Sequence, residues 1–380
     1  MRTIKFKIIK NLLKRTAKPT LTAALCVCLT LAAMECFAPF FDKITVICAA
    51  AAMPQASLSV VTDALLKGNS SQQTESASLP EQSLDQEQPF KDEQSEQNSS
   101  SSVSSSAPIE RPKNAGEISE YAFVPSKTSS KIIWLGSAAF SNTSSVSNSE
   151  ILSVLKQSPD IKLKKDAPQV LIYHTHSTES YEMQDLGYYI STSSARTTDE
   201  KQNMIRVGEE IVKQLEAEGI GVIHDRSLYD YPSYNGAYNR SAETVKKYLE
   251  KYPSITVTLD IHRDAIEQSG GVRVKPTAVI NGKKAAQVMI IAGVDDGTMD
   301  FKNWKENMKF ASALQRQMEG DFKGLTRAAM VCHRRYNMYL TKNSLLIEVG
   351  GHANTLDEAV YSGEMIGKSL VNVLKEYGKY

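Results

Sequence analysis

From residue 168 onward the chain alternates short apolar runs with segments of helical periodicity. Pro168–Tyr173 is a continuous apolar stretch, typical of a strand buried on both faces. Apolar positions between 204 and 215 recur at helical spacing. Further strands are predicted at 220–223, 255–261, 272–280, 288–291 and 345–347, and further helices at 237–251, 303–318 and 355–377. This alternation predicts an α/β fold with a mainly parallel twisted sheet and helices on both faces.

The first 167 residues have a different character. Residues 1–50 combine a basic leader with an apolar run, which predicts a cytoplasmic segment and a transmembrane signal anchor; a cleaved secretory signal is the alternative. Residues 51–117 are rich in Ser and Gln and predict a disordered linker. Residues 118–167 are interpreted as a short appended region, and 168–380 as the catalytic domain. Because positive residues stay inside, we expect that domain outside the cytoplasm, attached to the cell membrane.

Charge and cysteine content narrow the functional class. The chain has 44 Lys+Arg against 43 Asp+Glu, so it lacks the overall basic excess that would indicate nucleic-acid binding. Of its cysteines only Cys332 lies in the body of the chain, which therefore folds without an intrachain disulfide.

Three predicted strands end in side chains that bind metals. His174 and His176 follow the first, His262 follows the strand at 255–261, and Glu348 follows the strand at 345–347. Histidines two apart on an extended chain point to the same side, so both could bind one ion, or one could support the other. A histidine and carboxylate set suits zinc in a hydrolytic site. Glu348 is suited to act as the base, or it could be a ligand.

Six motifs run in order along the chain: His174–Tyr181, Arg196–Asp199, Tyr231–Gly236, Asp260–Asp264, Arg335–Asn337 and Leu346–Gly351. In these motifs the chain resembles the stage II sporulation protein P family of membrane-anchored peptidoglycan hydrolases. The resemblance implies a fold like that of the zinc N-acetylmuramoyl-L-alanine amidases. It also implies that His176, Glu200 and His262 bind Zn²⁺ and that Glu348 acts on the attacking water.

The chain departs from the wider amidase pattern beside the first ligand. His174 is an extra histidine, and Ser177–Glu179 replaces a glycine-rich turn. His174, Glu179 or Asp199 could therefore complete the zinc shell in place of Glu200. We expect His174 to support His176.

Arg263 and Asp264 follow His262 directly. They could face the cleft and orient substrate carbonyls or carboxylates, or they could form a structural ion pair.

The resemblance implies an amidase acting on septal peptidoglycan during engulfment, with a second endopeptidase activity on stem peptides. It also implies partnership with stage II sporulation proteins D and M. Two other functions stay open: a membrane-tethered scaffold with an inactive hydrolase domain, and a metallopeptidase that cuts only stem peptides.

Overall fold

A computed structural model of the chain describes residues 111–379. The predicted anchor and nearly all of the predicted linker lie outside these residues. Within them, no helix combines the length and apolar character needed to cross a membrane.

The described residues form fifteen strands and five α-helices. The strands are β1 (Ala115–Tyr121), β2 (Ile132–Leu135), β3 (Ala138–Asn142), β4 (Ile161–Lys162), β5 (Pro168–Tyr173), β6 (Tyr188–Ile190), β7 (Gly221–His224), β8 (Val257–Asp264), β9 (Glu267–Gln268), β10 (Val272–Ile280), β11 (Lys283–Ala286), β12 (Val288–Gly293), β13 (Ala329–Cys332), β14 (Ser344–Gly351) and β15 (Gly378–Lys379). The helices are α1 (Asn148–Leu155), α2 (Met204–Glu216), α3 (Ala237–Lys251), α4 (Trp304–Asp321) and α5 (Leu356–Tyr377).

The central sheet has eight strands in the order β2-β3-β13-β12-β14-β8-β5-β7. Strands β14, β8, β5 and β7 run parallel to one another. Antiparallel pairings join β12 to β14 and β2 to β3, so the sheet is mixed while most of its pairings are parallel. The carboxyl ends of β5, β8 and β14 therefore meet at one edge, as in the open sheets whose ligands bind beyond those ends.

Helices cover both faces of this sheet. Alternation along β5 shows why: Val170 and Ile172 join the main hydrophobic core, while Leu171 and Tyr173 join a smaller cluster on the other face. Helix α3 packs on the smaller cluster through Val245. The buried apolar residues of the other four helices belong to the main core, with the exception of Ile205.

A second sheet was not predicted. Its strands run in the order β11-β10-β1-β6, with β9 paired to β10. Strand β1 begins inside the stretch assigned to the linker and pairs with β10 in parallel and with β6 in antiparallel orientation.

The region 118–167 is not a separate appendage in the structure. Strand β3 hydrogen-bonds to β13 within the central sheet, and β2 forms the edge of that sheet. Ser312 of α4 donates a hydrogen bond to the Leu155 carbonyl of α1 at 2.7 Å. The sequence does not reveal this integration, because the short strands lack a long apolar run and β13, the second partner of β3, lies far along the chain.

Candidate metal centre

The site lies where β5, β8 and β14 end. In the parallel pairing of β14 with β8, Glu348 is the register partner of His262, so both side chains leave the same face of the sheet. His176 reaches the same place from the turn that follows β5.

His176, Glu179 and His262 form a buried cluster. One ligand atom from each lies within 4.8 Å of the others, and among the described residues this is the group with metal-binding geometry. His176 Nδ1 is 3.4 Å from Glu179 Oε1, and His262 Nδ1 is 3.6 Å from Glu179 Oε2. Their relative exposures are 5%, 0% and 2% in chain order. Such burial keeps bulk water away from the nitrogen and oxygen atoms that face one another.

Glu179 is held firmly in this position. The Arg263 backbone N–H donates to its Oε2 at 3.1 Å, and Arg196 Nη2 lies 3.6 Å from its Oε1. Its carbonyl accepts from the Met204 N–H, the first residue of α2, at 2.9 Å. The loop that carries Glu179 is therefore tied to both β8 and α2.

The charges in the cluster shift two pKa values in opposite directions. Burial alone raises the pKa of Glu179, but His176, His262 and Arg263 bring it well below its usual range. Burial alone lowers the pKa of His262, but Asp260 and then Glu179 and Glu348 raise it to about 10. A histidine surrounded by carboxylates lies in a negative potential, which favours a bound cation.

Aromatic rings line the cluster. The Tyr234 ring lies 4.6 Å from the His176 ring, and the Tyr238 ring is nearly parallel to the His262 ring at 6.3 Å. Tyr336 stacks on Tyr238 at 5.0 Å. These rings limit the orientations of the two imidazoles, as closely packed aromatic faces do.

His174 lies apart from this cluster. Its Nδ1 is 3.0 Å from the Ile261 carbonyl and its Nε2 is 2.9 Å from His224 Nε2. Both histidines lie against Gly208 of α2. The chain turns directly after His174, so the two histidines of the motif do not face the same side as expected for an extended chain. Burial lowers the pKa of His174 to about 4, which keeps it neutral at pH 7.

Glu200, the expected second ligand, is not brought to the cluster. It is 42% exposed in its side chain and accepts from Arg226 Nε at 2.9 Å. The neighbouring Asp199 accepts from the Lys201 N–H and from Gln202 Nε2, before α2 begins at Met204. Glu179 takes the position expected for Glu200, because its loop folds back against β8.

Arg263 and Asp264 make structural contacts. Arg263 is 1% exposed and donates through Nε to the Ser180 carbonyl and through Nη2 to the Ala195 carbonyl. Asp264 pairs with Arg327 at 2.9 Å. Arg263 therefore braces the Glu179 loop, and the ion pair considered for Asp264 has Arg327 as its partner.

Sequence reasoning gave no role to Asp260, which lies 2.8 Å from His262 Nε2. A signal was available: residues 260 and 262 are two apart on a predicted strand and so share a face.

The donor set fits zinc. Two imidazoles and one carboxylate are ligands that Zn²⁺ takes in hydrolytic sites that keep an open position. The contacts of Glu179 Oε1 with His176 and Arg196, at 3.4 and 3.6 Å, are longer than ordinary hydrogen bonds, so this oxygen is available to a cation.

Several solved structures are similar to this chain. The N-acetylmuramoyl-L-alanine amidase AmiC2 of Nostoc punctiforme is 12% identical, with 56% of this chain and 98% of that chain covered and a TM-score of 0.34. An N-acetylmuramoyl-L-alanine amidase from Clostridium difficile 630 is 14% identical, with 56% and 97% covered and a TM-score of 0.34.

Sequence comparison gives a family. The stage II sporulation protein P of Bacillus subtilis (strain 168) is 31% identical over 214 residues, which are 53% of this chain and 50% of that relative. The match thus spans about half the length of the relative. The family model described as stage II sporulation protein P matches residues 49–370. Since that match covers well over half of the sequence, the chain belongs to the stage II sporulation protein P family.

Proposed function

We propose that the chain is a zinc-dependent peptidoglycan hydrolase that cuts the amide between the lactyl group of muramic acid and L-alanine. The observation that carries this proposal is the buried cluster of His176, Glu179 and His262, with Glu348 in register beside His262. Family membership, and the amidase activity that the motif resemblance to this family implies, support the choice of substrate.

We assign metal binding and proton transfer to different residues of the chain. His176, Glu179 and His262 would hold Zn²⁺, which when bound lowers the pKa of a coordinated water to about 7 and polarises a carbonyl. Glu348 is half-buried, and its charge acts on His262 from the adjacent strand. It would take a proton from the attacking water and return it to the leaving amine, so that amide and water give a carboxylic acid and an amine.

Glu348 suits that role better than a ligand role. It is not part of the cluster whose ligand atoms lie within 4.8 Å of one another, yet it leaves the sheet on the same face as His262. A base must be near the reacting water without being tied to the cation.

Mass analysis of digested peptidoglycan tests this function. Purified full-length chain with added Zn²⁺ should release intact stem peptides that begin with L-alanine, and chelator-treated chain should release none. Products cut only within the stem peptide would contradict the proposed amidase activity and indicate a metallopeptidase. Both product classes together would indicate the additional endopeptidase activity. Wall binding without any product would favour a scaffold with an inactive domain.

The cellular setting is part of the proposal. The motif resemblance supports a role in septal wall degradation and engulfment during sporulation, with the catalytic domain outside the cytoplasm on a membrane anchor. It also supports stage II sporulation proteins D and M as partners. Fractionation of sporulating cells checks the location, and co-purification from crosslinked membranes checks the partners.

A further inference from the structure

The Asp260 carboxylate is buried between the strand ends that carry the candidate ligands. It is 1% exposed. Its Oδ1 accepts from the Thr175 backbone N–H at 2.8 Å, and its Oδ2 accepts from Thr175 Oγ1 at 2.7 Å. Thr175 directly precedes His176, so these two hydrogen bonds join β8 to the turn that carries the first candidate ligand.

Asp260 also contacts His262, its neighbour on the same face of β8. His262 Nε2 lies 2.8 Å from Asp260 Oδ1, while His262 Nδ1 lies 3.6 Å from Glu179 Oε2. The two ring nitrogens therefore have different surroundings: Nε2 lies beside Asp260, and Nδ1 lies on the side of Glu179.

The chemistry of these contacts selects one tautomer. An ionised carboxylate offers only lone pairs, so Asp260 Oδ1 at 2.8 Å repels a lone pair on Nε2 and favours a hydrogen on that nitrogen. When a cation displaces the second proton, the neutral imidazole has one N–H, which leaves the lone pair on Nδ1, on the side of Glu179. The negative charge of Asp260 also makes the ring a stronger ligand.

We propose that Asp260 is a positioning residue that fixes Nδ1 as the metal-binding nitrogen of His262 and aligns the turn of His176 with β8. This inference rests on the proposed metal centre. It adds which nitrogen of His262 binds the metal and names Asp260 as the residue that determines this.

A short hydrogen-bond chain holds Asp260 in this role. Thr175 Oγ1 also contacts Ser241 Oγ of α3 at 2.8 Å, and Asn337 Nδ2 donates to that Ser241 oxygen at 2.8 Å. The carboxylate is thus connected through Thr175 to Ser241 of α3 and, through Ser241, to Asn337. A position built this way resists the small rotations that would turn His262 away from the cluster.

Zinc affinity distinguishes a positioning role from a purely structural one. In the full-length chain, Asp260→Asn should weaken Zn²⁺ binding about 10- to 100-fold, as loss of a carboxylate behind a metal-binding histidine typically does. Thr258→Val is the matched control: Thr258 lies on the same strand and face, is 1% exposed, and donates to Ser344 Oγ at 2.7 Å. The zinc affinity of Thr258→Val should stay within about threefold of the wild type, because the Thr258 side chain bonds to Ser344 of β14 and not to His262 or Thr175.

Competition with a chromogenic chelator measures both affinities, with far-UV circular dichroism as the check on folding. Unchanged zinc affinity in a folded Asp260→Asn chain would overturn the proposal. An equal loss in Thr258→Val would also overturn it, because the effect would then belong to the strand as a whole.

A second measurement needs no variant. The chain has six histidines, so ¹⁵N-histidine labelling of the wild type gives a simple spectrum. With ¹¹³Cd²⁺ as the probe, coupling to His262 Nδ1 and a hydrogen on Nε2 support the proposal, whereas coupling to Nε2 contradicts it. Coupling to neither nitrogen of His262 would contradict the proposed metal centre itself. Coupling to Nδ1 in a chain that cuts no peptidoglycan would refute the proposed function and leave this inference standing.

Discussion

Substitution of Gly208 by alanine tests the packing of α2 on the segment that carries the candidate ligands. A Cβ at Gly208 would lie 2.6 Å from both His174 Nε2 and His224 Nε2. His174 is fully buried and its other nitrogen is 3.0 Å from the Ile261 carbonyl, so the ring has little room to withdraw. The added methyl group must therefore displace either the helix or the histidine pair.

Two opposing contributions set the magnitude. Alanine is favoured over glycine inside a helix by about 1 kcal/mol. Overpacking a well-filled interior costs about 1–3 kcal/mol. We therefore expect Gly208→Ala to lower the free energy of unfolding by about 1 kcal/mol.

Gly320 is the matched control, because it lies near the end of α4, is exposed, and has no atom within 4 Å of an added Cβ. Gly320→Ala should raise the free energy of unfolding by up to about 1 kcal/mol. Urea unfolding at pH 7, followed by far-UV circular dichroism, compares the two variants with the wild type. If Gly208→Ala stabilises the chain as Gly320→Ala does, the described contact between α2 and the histidine pair is wrong.

Three further predictions follow from the site. Burial holds the pKa of His174 near 4, against about 6.5 in the unfolded chain, so the stability that the neutral ring contributes is complete above pH 6.5 and is lost as the pH falls toward 4. The free energy of unfolding should therefore drop by about 2 kcal/mol between pH 7 and 5 because of this group. His174→Gln should remove that part of the pH dependence. Glu348→Gln should lower the rate of peptidoglycan cleavage about 10²- to 10⁴-fold while zinc content stays unchanged; loss of zinc in that variant would make Glu348 a ligand. Arg263→Lys should lower the free energy of unfolding by about 1–3 kcal/mol, since an ammonium cannot reach both the Ser180 and Ala195 carbonyls, and unchanged stability would argue against the bracing role.

The bounds of several helices and strands could be predicted from the sequence. The boundaries predicted for α3, β5 and β10 agree with the structure, because each is a run of consistent periodicity between clear breaks. The second sheet could not be predicted, since β1 pairs with β10 across more than a hundred residues and periodicity carries no information on partners. Strand β13, with four residues, is too short to stand out in the sequence.

The site was predictable where a strand supplies the residue directly. His262 and Glu348 lie on β8 and β14, and pairing in register brings them together. Glu179 lies in a loop whose course depends on distant contacts, including bridges from Glu179 to Arg196 and from Ser180 to Asn203. No local pattern indicates those bridges, so the helix-proximal Glu200 was the natural choice from sequence.

Metal stoichiometry in matched glutamate variants tests the central claim most directly. Inductively coupled plasma mass spectrometry on full-length chains should find about one zinc per chain in the wild type and in Glu200→Gln, because Glu200 pairs with Arg226 away from the cluster. Glu179→Gln should lose most of its zinc, because it removes the carboxylate that lies between His176 and His262. Zinc retained in Glu179→Gln and lost in Glu200→Gln would contradict the account.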